Sequence, residues 1–212
     1  MIKLTNRLSA VAQLVRENVS LADVGCDHGY LPAYLILNDK IKSAVACDIN
    51  EGPLHACIQL VADYSLEDRI KCVLSDGLCN VSENECDDIA VCGMGGELIA
   101  QILDSCPWAK NSSKHFILNP MTHPEILRKY LCDNGFEIRN DIIVKESRHY
   151  YSVFDAYYTG NKISCDKSYY YLGNIEHFEY KDYFNHLLNY LENKSKGGED
   201  YSDVISAIKE KL

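Results

Sequence analysis

The feature that most constrains the fold is an alternation of short β-branched runs with helical stretches over about 115 residues. The runs VSLADVG, KSAVACDI, RIKCVLSD, DDIAVCGM and KHFILNP predict strands at 19–25, 42–49, 69–76, 87–94 and 114–120. The stretches between them predict helices. This pattern predicts a doubly wound, Rossmann-like α/β fold, a parallel sheet with helices on both faces. Ligands of such sheets bind beyond the carboxyl ends of the strands.

The two ends of the chain differ from this alternating part. Residues 1–18 predict an amphipathic helix, and 136–160 predict two strands that meet near residues 146–149, an antiparallel edge hairpin. From residue 161 the pattern turns helical, with helices expected over 175–193 and 201–212 around the polar segment KSKGGED. We therefore predict a domain of residues 1–160 and a C-terminal helical, coiled-coil-like extension of residues 161–212.

Composition excludes several classes of protein. No run approaches the ~20 apolar residues of a membrane helix, and the N-terminus lacks the pattern of a signal peptide, so we expect a cytoplasmic protein. No two of the ten cysteines have the spacing of a zinc knuckle, so we expect free thiols and no metal. A net charge of −10 argues mildly against binding nucleic acid by bulk electrostatics.

The first predicted strand ends in the loop Asp23-Val-Gly25-Cys-Asp27-His-Gly29, which leads into a helix. Its glycines allow the backbone to approach a ligand closely. A dinucleotide-binding loop would follow the pattern G-x-G-x-x-G, with its helix end facing a diphosphate. Asp27 occupies the middle glycine position, where a carboxylate repels a diphosphate but suits a ligand with ammonium and sulfonium groups. The loop therefore favours S-adenosylmethionine over a nicotinamide dinucleotide.

Three further strand ends carry candidate ligand contacts. Asp48 ends the second strand, where a carboxylate accepts both ribose hydroxyls of a nucleoside. Asp76-Gly77 follows the third strand and offers an acceptor for an adenine amino group, although an ordinary turn explains it equally well. Gly93-Met94-Gly-Gly follows the fourth, at the position that faces the sulfonium in doubly wound methyltransferases. Its glycines leave open backbone for a flat substrate.

Two candidates have uncertain roles at this level. Asn119, in the sequence Asn119-Pro120-Met121 after the fifth strand, can donate and accept hydrogen bonds at once, as reading a base edge requires. An Asn-Pro turn that opens a helix is the alternative explanation. His28 is either catalytic or caps the neighbouring turn.

The segments RLSAVAQLV, LADVGCDHGYLPAYL, ACDINEGPL, SDGL, CGMGGELIAQIL, ILNP and HYYSVFDAYYTG carry a resemblance to a known family. Over residues 7–160 the chain resembles the bacterial tRNA (adenine-N1)-methyltransferases of the TrmK type, which modify adenine 22 of tRNA. The resemblance implies S-adenosylmethionine as cofactor and tRNA as partner. The cofactor contacts are then expected at Asp23, Gly25, Asp27, Asp48, Ile49, Asn50, Asp76, Gly77 and Gly93. The catalytic or substrate pocket is expected at His28, Tyr30, Met94, Asn119 and Pro120.

The implied reaction is an in-line transfer of the sulfonium methyl group to N1 of adenine. Because N1 has its own lone pair, the protein mainly aligns the reactants and excludes water. Base pairing buries N1, so we expect an unpaired or extruded base stacked on an aromatic ring, with Tyr30 as the candidate. Three alternatives stay open: a methyltransferase for a small molecule, a non-enzymatic S-adenosylmethionine-binding module, and a nicotinamide-dependent oxidoreductase. The C-terminal helices either clamp the tRNA or form a weak homodimer contact.

Overall fold

A seven-stranded sheet forms the centre of the computed structural model, which describes residues 2–174 and 180–212. The strands are β1 Ser20–Val24, β2 Ser43–Asp48, β3 Ile70–Leu74, β4 Asp88–Gly95, β5 His115–Thr122, β6 Phe136–Glu146 and β7 His149–Tyr158. Their order is β3-β2-β1-β4-β5-β7-β6. The first five are parallel, whereas β7 runs antiparallel to β5 and to β6. The predicted doubly wound sheet with an antiparallel hairpin is confirmed.

Five helices cover the two faces of this sheet. They are α1 Asn6–Leu14, α2 Tyr30–Leu37, α3 Glu51–Asp63, α4 Gly96–Asp104 and α5 Pro124–Asp133. Helices α1, α2 and α3 pack on one face, and α4 and α5 on the other. Successive strand residues point to opposite faces, so Leu21 lies in the first core and Ala22 in the second. This burial on both sides explains why the strands read as nearly continuous apolar runs.

Strand direction brings the tip of the hairpin to the same edge as the ends of the parallel strands. Because β7 is antiparallel to both neighbours, β6 runs in the direction of β5. Glu146, at the end of β6, therefore lies near the carboxyl end of β5. After β1 the chain adds β2 and β3 on one side of it, and then returns to add β4 on its other side. The boundary between β1 and β4 is therefore the switch point of the sheet.

The C-terminal region consists of the helices α6 Lys167–Leu172, α7 Lys181–Ser195 and α8 Ser202–Lys211. They share a small apolar core that also contains Ile143 of β6, so the extension packs against the hairpin. The helix predicted over 175–193 is present from Lys181 onward. Its first part, including Phe178, lies outside the described residues. The predicted boundary at residue 160 stays a prediction.

A buried ion pair ties α6 to the sheet. Arg128 of α5 is fully buried and donates two hydrogen bonds to the Asp141 carboxylate of β6, at 2.8 and 3.1 Å. Its third nitrogen donates to the carbonyl oxygens of Tyr170 and Tyr171 at 2.8 and 3.3 Å. One guanidinium thus satisfies carbonyl groups at the end of α6 and links that helix to α5 and β6.

The state of the cysteines, the grouping of possible metal ligands and the character of the helices can be described for the same residues. The cysteines are free thiols, and several lie in the core, including Cys47 and Cys92. Within residues 2–174 and 180–212, no group of histidine, cysteine or acidic side chains is arranged to hold a metal ion. None of the helices in those ranges has the length and apolar character needed to cross a membrane.

Candidate active site

A cavity of about 560 Å³ opens at the carboxyl ends of β1, β2, β3 and β4. All nine residues predicted to contact a cofactor line it: Asp23, Gly25, Asp27, Asp48, Ile49, Asn50, Asp76, Gly77 and Gly93. Two of the five residues predicted for the substrate pocket, Tyr30 and Met94, line it as well. The other three, His28, Asn119 and Pro120, do not belong to its lining.

The loop after β1 is shaped by residues in the left-handed region. Gly25, Asp27 and Gly29 have φ angles of 72°, 50° and 71°. The N–H groups of Gly25 and Cys26 both donate to the carbonyl of Cys47, at 2.8 and 3.0 Å, which holds the loop against the end of β2. At Gly29 a Cβ atom would come within 2.4 Å of the Cys57 sulfur, so this position requires glycine for space as well as for φ.

Asp48 presents an oriented carboxylate at the end of β2. It is 8% exposed, and its two oxygens accept hydrogen bonds from the backbone N–H groups of Asn50 at 2.9 Å and Asp27 at 3.4 Å. Each oxygen accepts one such bond and keeps a free lone pair. The arrangement can therefore accept a pair of neighbouring hydroxyl groups from a ligand in the cavity.

Asp23 lies deeper in the same cavity and is buried. Burial, with a further contribution from the charge of Asp48, raises the pKa of Asp23 to about 7. Desolvation disfavours the ionised form of a carboxyl group, and a cation placed beside it reverses that effect. The inner end of the cavity is thus suited to a positively charged group. Asp27 differs, because its side chain is 73% exposed and lies within 3.7 Å of His28.

The amide of Asn119 is occupied inside the protein. The residue is fully buried; its oxygen accepts a hydrogen bond from the Arg7 guanidinium at 2.8 Å, and its nitrogen donates to the carbonyl of Ser152 at 2.8 Å. A direct contact to a base would have to break these bonds. Pro120, next in β5, is also buried. The residue that Asn119 holds, Arg7, lines the cavity and was not singled out in the sequence.

Aromatic and apolar side chains form the outer part of the cavity. Tyr30 is 42% exposed and its ring stacks on that of His28, with centroids 5.4 Å apart and planes at 26°. Met94 and Met121 line the part of the cavity formed by β4 and β5. At Gly93 a Cβ atom would meet nothing within 4 Å, so the backbone there borders open space. A flat ring can reach this region and stack on an exposed tyrosine.

Comparison with known proteins agrees with this geometry. Residues 4–154 match the family model described as a methyltransferase domain. The tRNA (adenine(22)-N(1))-methyltransferase of Bacillus subtilis is 33% identical over 171 residues, which cover 77% of this chain and 72% of that protein. The chain belongs to the tRNA (adenine(22)-N1)-methyltransferase family. It is therefore a methyltransferase, and the acidic cavity at the switch point is its candidate active site.

Solved structures of the family extend the match to nearly the whole chain. The B. subtilis m1A22 tRNA methyltransferase TrmK superposes with a TM-score of 0.84 and 27% identity, covering 99% of this chain and 94% of that one. A Streptococcus pneumoniae protein solved in complex with S-adenosyl-L-methionine has a TM-score of 0.89 and 30% identity, covering 99% and 100%. The C-terminal helices are thus within the matched region of this methyltransferase family.

Proposed function

We propose that the protein transfers the methyl group of S-adenosylmethionine to N1 of adenine 22 in tRNA. The choice of cofactor is supported by the acidic cavity, in which oriented and buried carboxylates lie at the switch point of the sheet. The choice of substrate is supported by membership of the tRNA (adenine(22)-N1)-methyltransferase family and by the named activity of the B. subtilis relative. Because the proposed substrate is tRNA, we propose that the reaction takes place in the cytoplasm.

The residues that line the cavity fit this cofactor. Asp48 would accept the two ribose hydroxyls, and Asp76 the adenine amino group. Asp23, buried at the inner end, would face the ammonium group, and the exposed carboxylate of Asp27 would add to the negative potential at the mouth. Gly93 would let the backbone approach the sulfonium closely. Each assignment uses a side chain or backbone group that already faces the cavity.

The chemistry requires little more than alignment from the protein. The bound cofactor supplies an electrophilic methyl group, and adenine N1 carries its own lone pair, so no side chain has to remove a proton first. Tyr30, stacked on His28, would hold the unpaired base at the mouth of the cavity. Met94 and the open backbone at Gly93 would bound the path of approach and exclude water.

A surface beside the cavity offers a place for the tRNA backbone. At the hairpin tip, the exposed side chains of Lys145 and Arg148 border a groove whose other wall is α7, with Asp182, Asn185, His186 and Asn189. This groove lies at the edge of the sheet that carries the cavity. It supports the role of the C-terminal helices as a clamp for tRNA rather than as a homodimer contact, because local cations can bind phosphates on an acidic protein.

The function is tested with two unmodified tRNA transcripts, one with adenine 22 and one with guanine 22, each incubated with the protein and S-adenosylmethionine. Nucleoside mass spectrometry should find 1-methyladenosine in the first and none in the second. Methylation of both transcripts would overturn the assignment to position 22. Methyl transfer to small molecules but to no tRNA would favour the alternative of a small-molecule methyltransferase.

A further inference from the structure

Two thiols meet where the C-terminal extension begins. Cys132 lies in the last turn of α5, and Cys165 lies in the segment between β7 and α6. The Cys165 thiol donates a hydrogen bond to the Cys132 sulfur, and the two sulfur atoms are 3.8 Å apart. Bonded sulfur atoms are about 2.05 Å apart, so these two would approach each other by about 1.8 Å if a disulfide formed.

Backbone contacts hold the two segments that carry these thiols together. The N–H of Ile163, two residues before Cys165, donates to the carbonyl of Cys132 at 3.1 Å. One turn earlier on α5, Arg128 donates to carbonyl groups at the end of α6. Residues four apart on a helix lie on the same face, so Arg128 and Cys132 share the face of α5 that contacts α6. A bond between the thiols would therefore join segments that are already docked.

The two thiols differ in their exposure to solvent. Cys132 is 3% exposed, and burial raises the pKa of its thiol. Cys165 is half-buried, so part of its surface faces solvent. A small oxidant can therefore reach Cys165, with Cys132 beside it as the second thiol. Cysteines that respond to oxidants are typically solvent-accessible and often lie next to such a second thiol.

Another pair of thiols is closer together but less accessible. The sulfur atoms of Cys57 and Cys72 are 3.6 Å apart, and Cys57 is 0% exposed. A hydrogen bond with Cys26 raises the pKa of Cys57, and the hydrogen bond with Cys57 raises the pKa of Cys72. Because the thiolate is the form that reacts with oxidants, both are held in an unreactive form. This pair is an internal comparison, in which the distance is shorter and the access poorer.

We propose that Cys132 and Cys165 form a redox modification site, at which hydrogen peroxide generates a disulfide that ties the start of the C-terminal extension to α5. The Cys165 thiolate attacks one oxygen of the peroxide, the O–O bond breaks, and hydroxide leaves, which yields a sulfenic acid. The Cys132 sulfur then attacks the Cys165 sulfur and displaces hydroxide, which takes up the Cys132 thiol proton as water. In total, two thiols and one peroxide give one disulfide and two waters. A dithiol reductant returns both thiols by exchange.

The disulfide would restrict the extension. It closes the loop of residues 132–165, and such a cross-link stabilises a protein chiefly by limiting the open forms of its chain. We expect the oxidised protein to melt about 5–10 °C higher than the reduced protein. This inference goes beyond the proposed function and does not depend on it.

The test uses the fully reduced, full-length protein. It is treated with hydrogen peroxide, the remaining thiols are alkylated, and peptides are analysed by mass spectrometry without reduction. The main intramolecular product should be the Cys132–Cys165 link, and dithiothreitol should remove both the link and the rise in melting temperature. Cys165→Ser should form no link and show no rise. Cys79→Ser, which removes an exposed thiol elsewhere in the chain, is the matched control and should retain both.

The opposite results would each overturn the inference. Oxidation of the exposed Cys79 without a Cys132–Cys165 link would show that the oxidant acted and that the pair did not respond. A predominant Cys57–Cys72 link would show that distance decides and access does not. A Cys132–Cys165 link that leaves the melting temperature unchanged would show that it does not restrain the extension. If Cys165→Ser is unfolded before oxidation, Cys165→Ala takes its place, with the same expected loss of the link.

Discussion

At the scale of single residues, the acidic side chains of the cavity are all aspartates, but their exposure to solvent differs. Asp23 is 4% exposed, whereas the side chain of Asp27 is 73% exposed. Desolvation disfavours the ionised form of the buried Asp23 and raises its pKa to about 7. Asp27, on which the sequence-based choice of cofactor depended, is therefore the solvent-exposed carboxylate. The buried one is better placed to respond to a cationic ligand.

This difference predicts a pH dependence of cofactor binding. A cation beside Asp23 favours its ionised form, so binding releases a proton when the pH is below the pKa of about 7 in the free protein. The affinity for S-adenosylmethionine should be full above pH 7 and should fall as the pH drops, approaching about tenfold per pH unit. Calorimetry from pH 5.5 to 7.5 measures this slope. The Asp23→Asn variant should lose this pH dependence, and the Asp27→Asn variant should keep it. If Asp23→Asn kept the slope, Asp23 would not be the group whose titration controls binding.

At the scale of elements, the Arg128–Asp141 pair decides how the C-terminal helices are attached. Both side chains are almost fully buried, at 0% and 1% exposure. Arg128 also lies 4.7 Å from the ring centroid of Phe154 in β7. At Gly173, just after α6, a Cβ atom would come within 1.8 Å of the Asp141 carboxylate. The chain therefore passes close to the ion pair, which joins α5, β6, β7 and α6.

Removing one partner of this pair should be costly. Arg128→Met leaves the Asp141 carboxylate buried without its cation and deprives the carbonyl groups of α6 of their donor. We expect a loss of about 3–5 kcal/mol in the free energy of unfolding. Urea denaturation followed by circular dichroism measures it. The double variant Arg128→Met with Asp141→Leu should recover a large part of the loss; a single variant as stable as the wild type would show that the pair contributes nothing.

At the scale of the whole molecule, the protein itself has a net charge of −10. Its tRNA substrate is a polyanion, so the two carry charge of the same sign. Four aspartates, Asp23, Asp27, Asp48 and Asp76, line the cavity. The exposed cations Lys145 and Arg148 lie at the hairpin tip, beside α7. The acidic lining of the cavity and the exposed cations of the hairpin tip are thus separated along one edge of the sheet. The overall charge hides this separation.

The separation predicts that tRNA and cofactor binding respond to different substitutions. Lys145→Ala with Arg148→Ala should weaken tRNA binding and reduce the slope of its salt dependence by about 0.7–0.9 for each phosphate that the variant no longer neutralises. Affinity for S-adenosylmethionine should stay unchanged. Filter binding at several salt concentrations measures the first and calorimetry the second. The control pair, Lys42→Ala with Lys110→Ala, removes two exposed lysines that precede β2 and β5. An equal effect of both pairs would exclude a specific tRNA site at the hairpin tip.

The sequence by itself determined the sheet, its helices and seven of the nine residues expected around a cofactor, whereas Ile49 and Asn50 were expected from the resemblance alone. Strand and helix periodicity is local, and glycine and aspartate after a parallel strand lie at one edge of the sheet in any doubly wound fold. The resemblance of residues 7–160 added the family and the substrate to this reading.

Tertiary structure alone decided which of these polar groups are buried, paired or free. Asn119 looked suited to a base, but α1 and β7 supply partners that engage both ends of its amide. Arg7 begins one of the segments that carry the resemblance, but the sequence did not place it at the cavity, because that position depends on a helix that contacts strands more than a hundred residues away. The raised pKa of Asp23 likewise requires its burial beside Asp48. Contacts between distant segments set these properties, and no local pattern contains them.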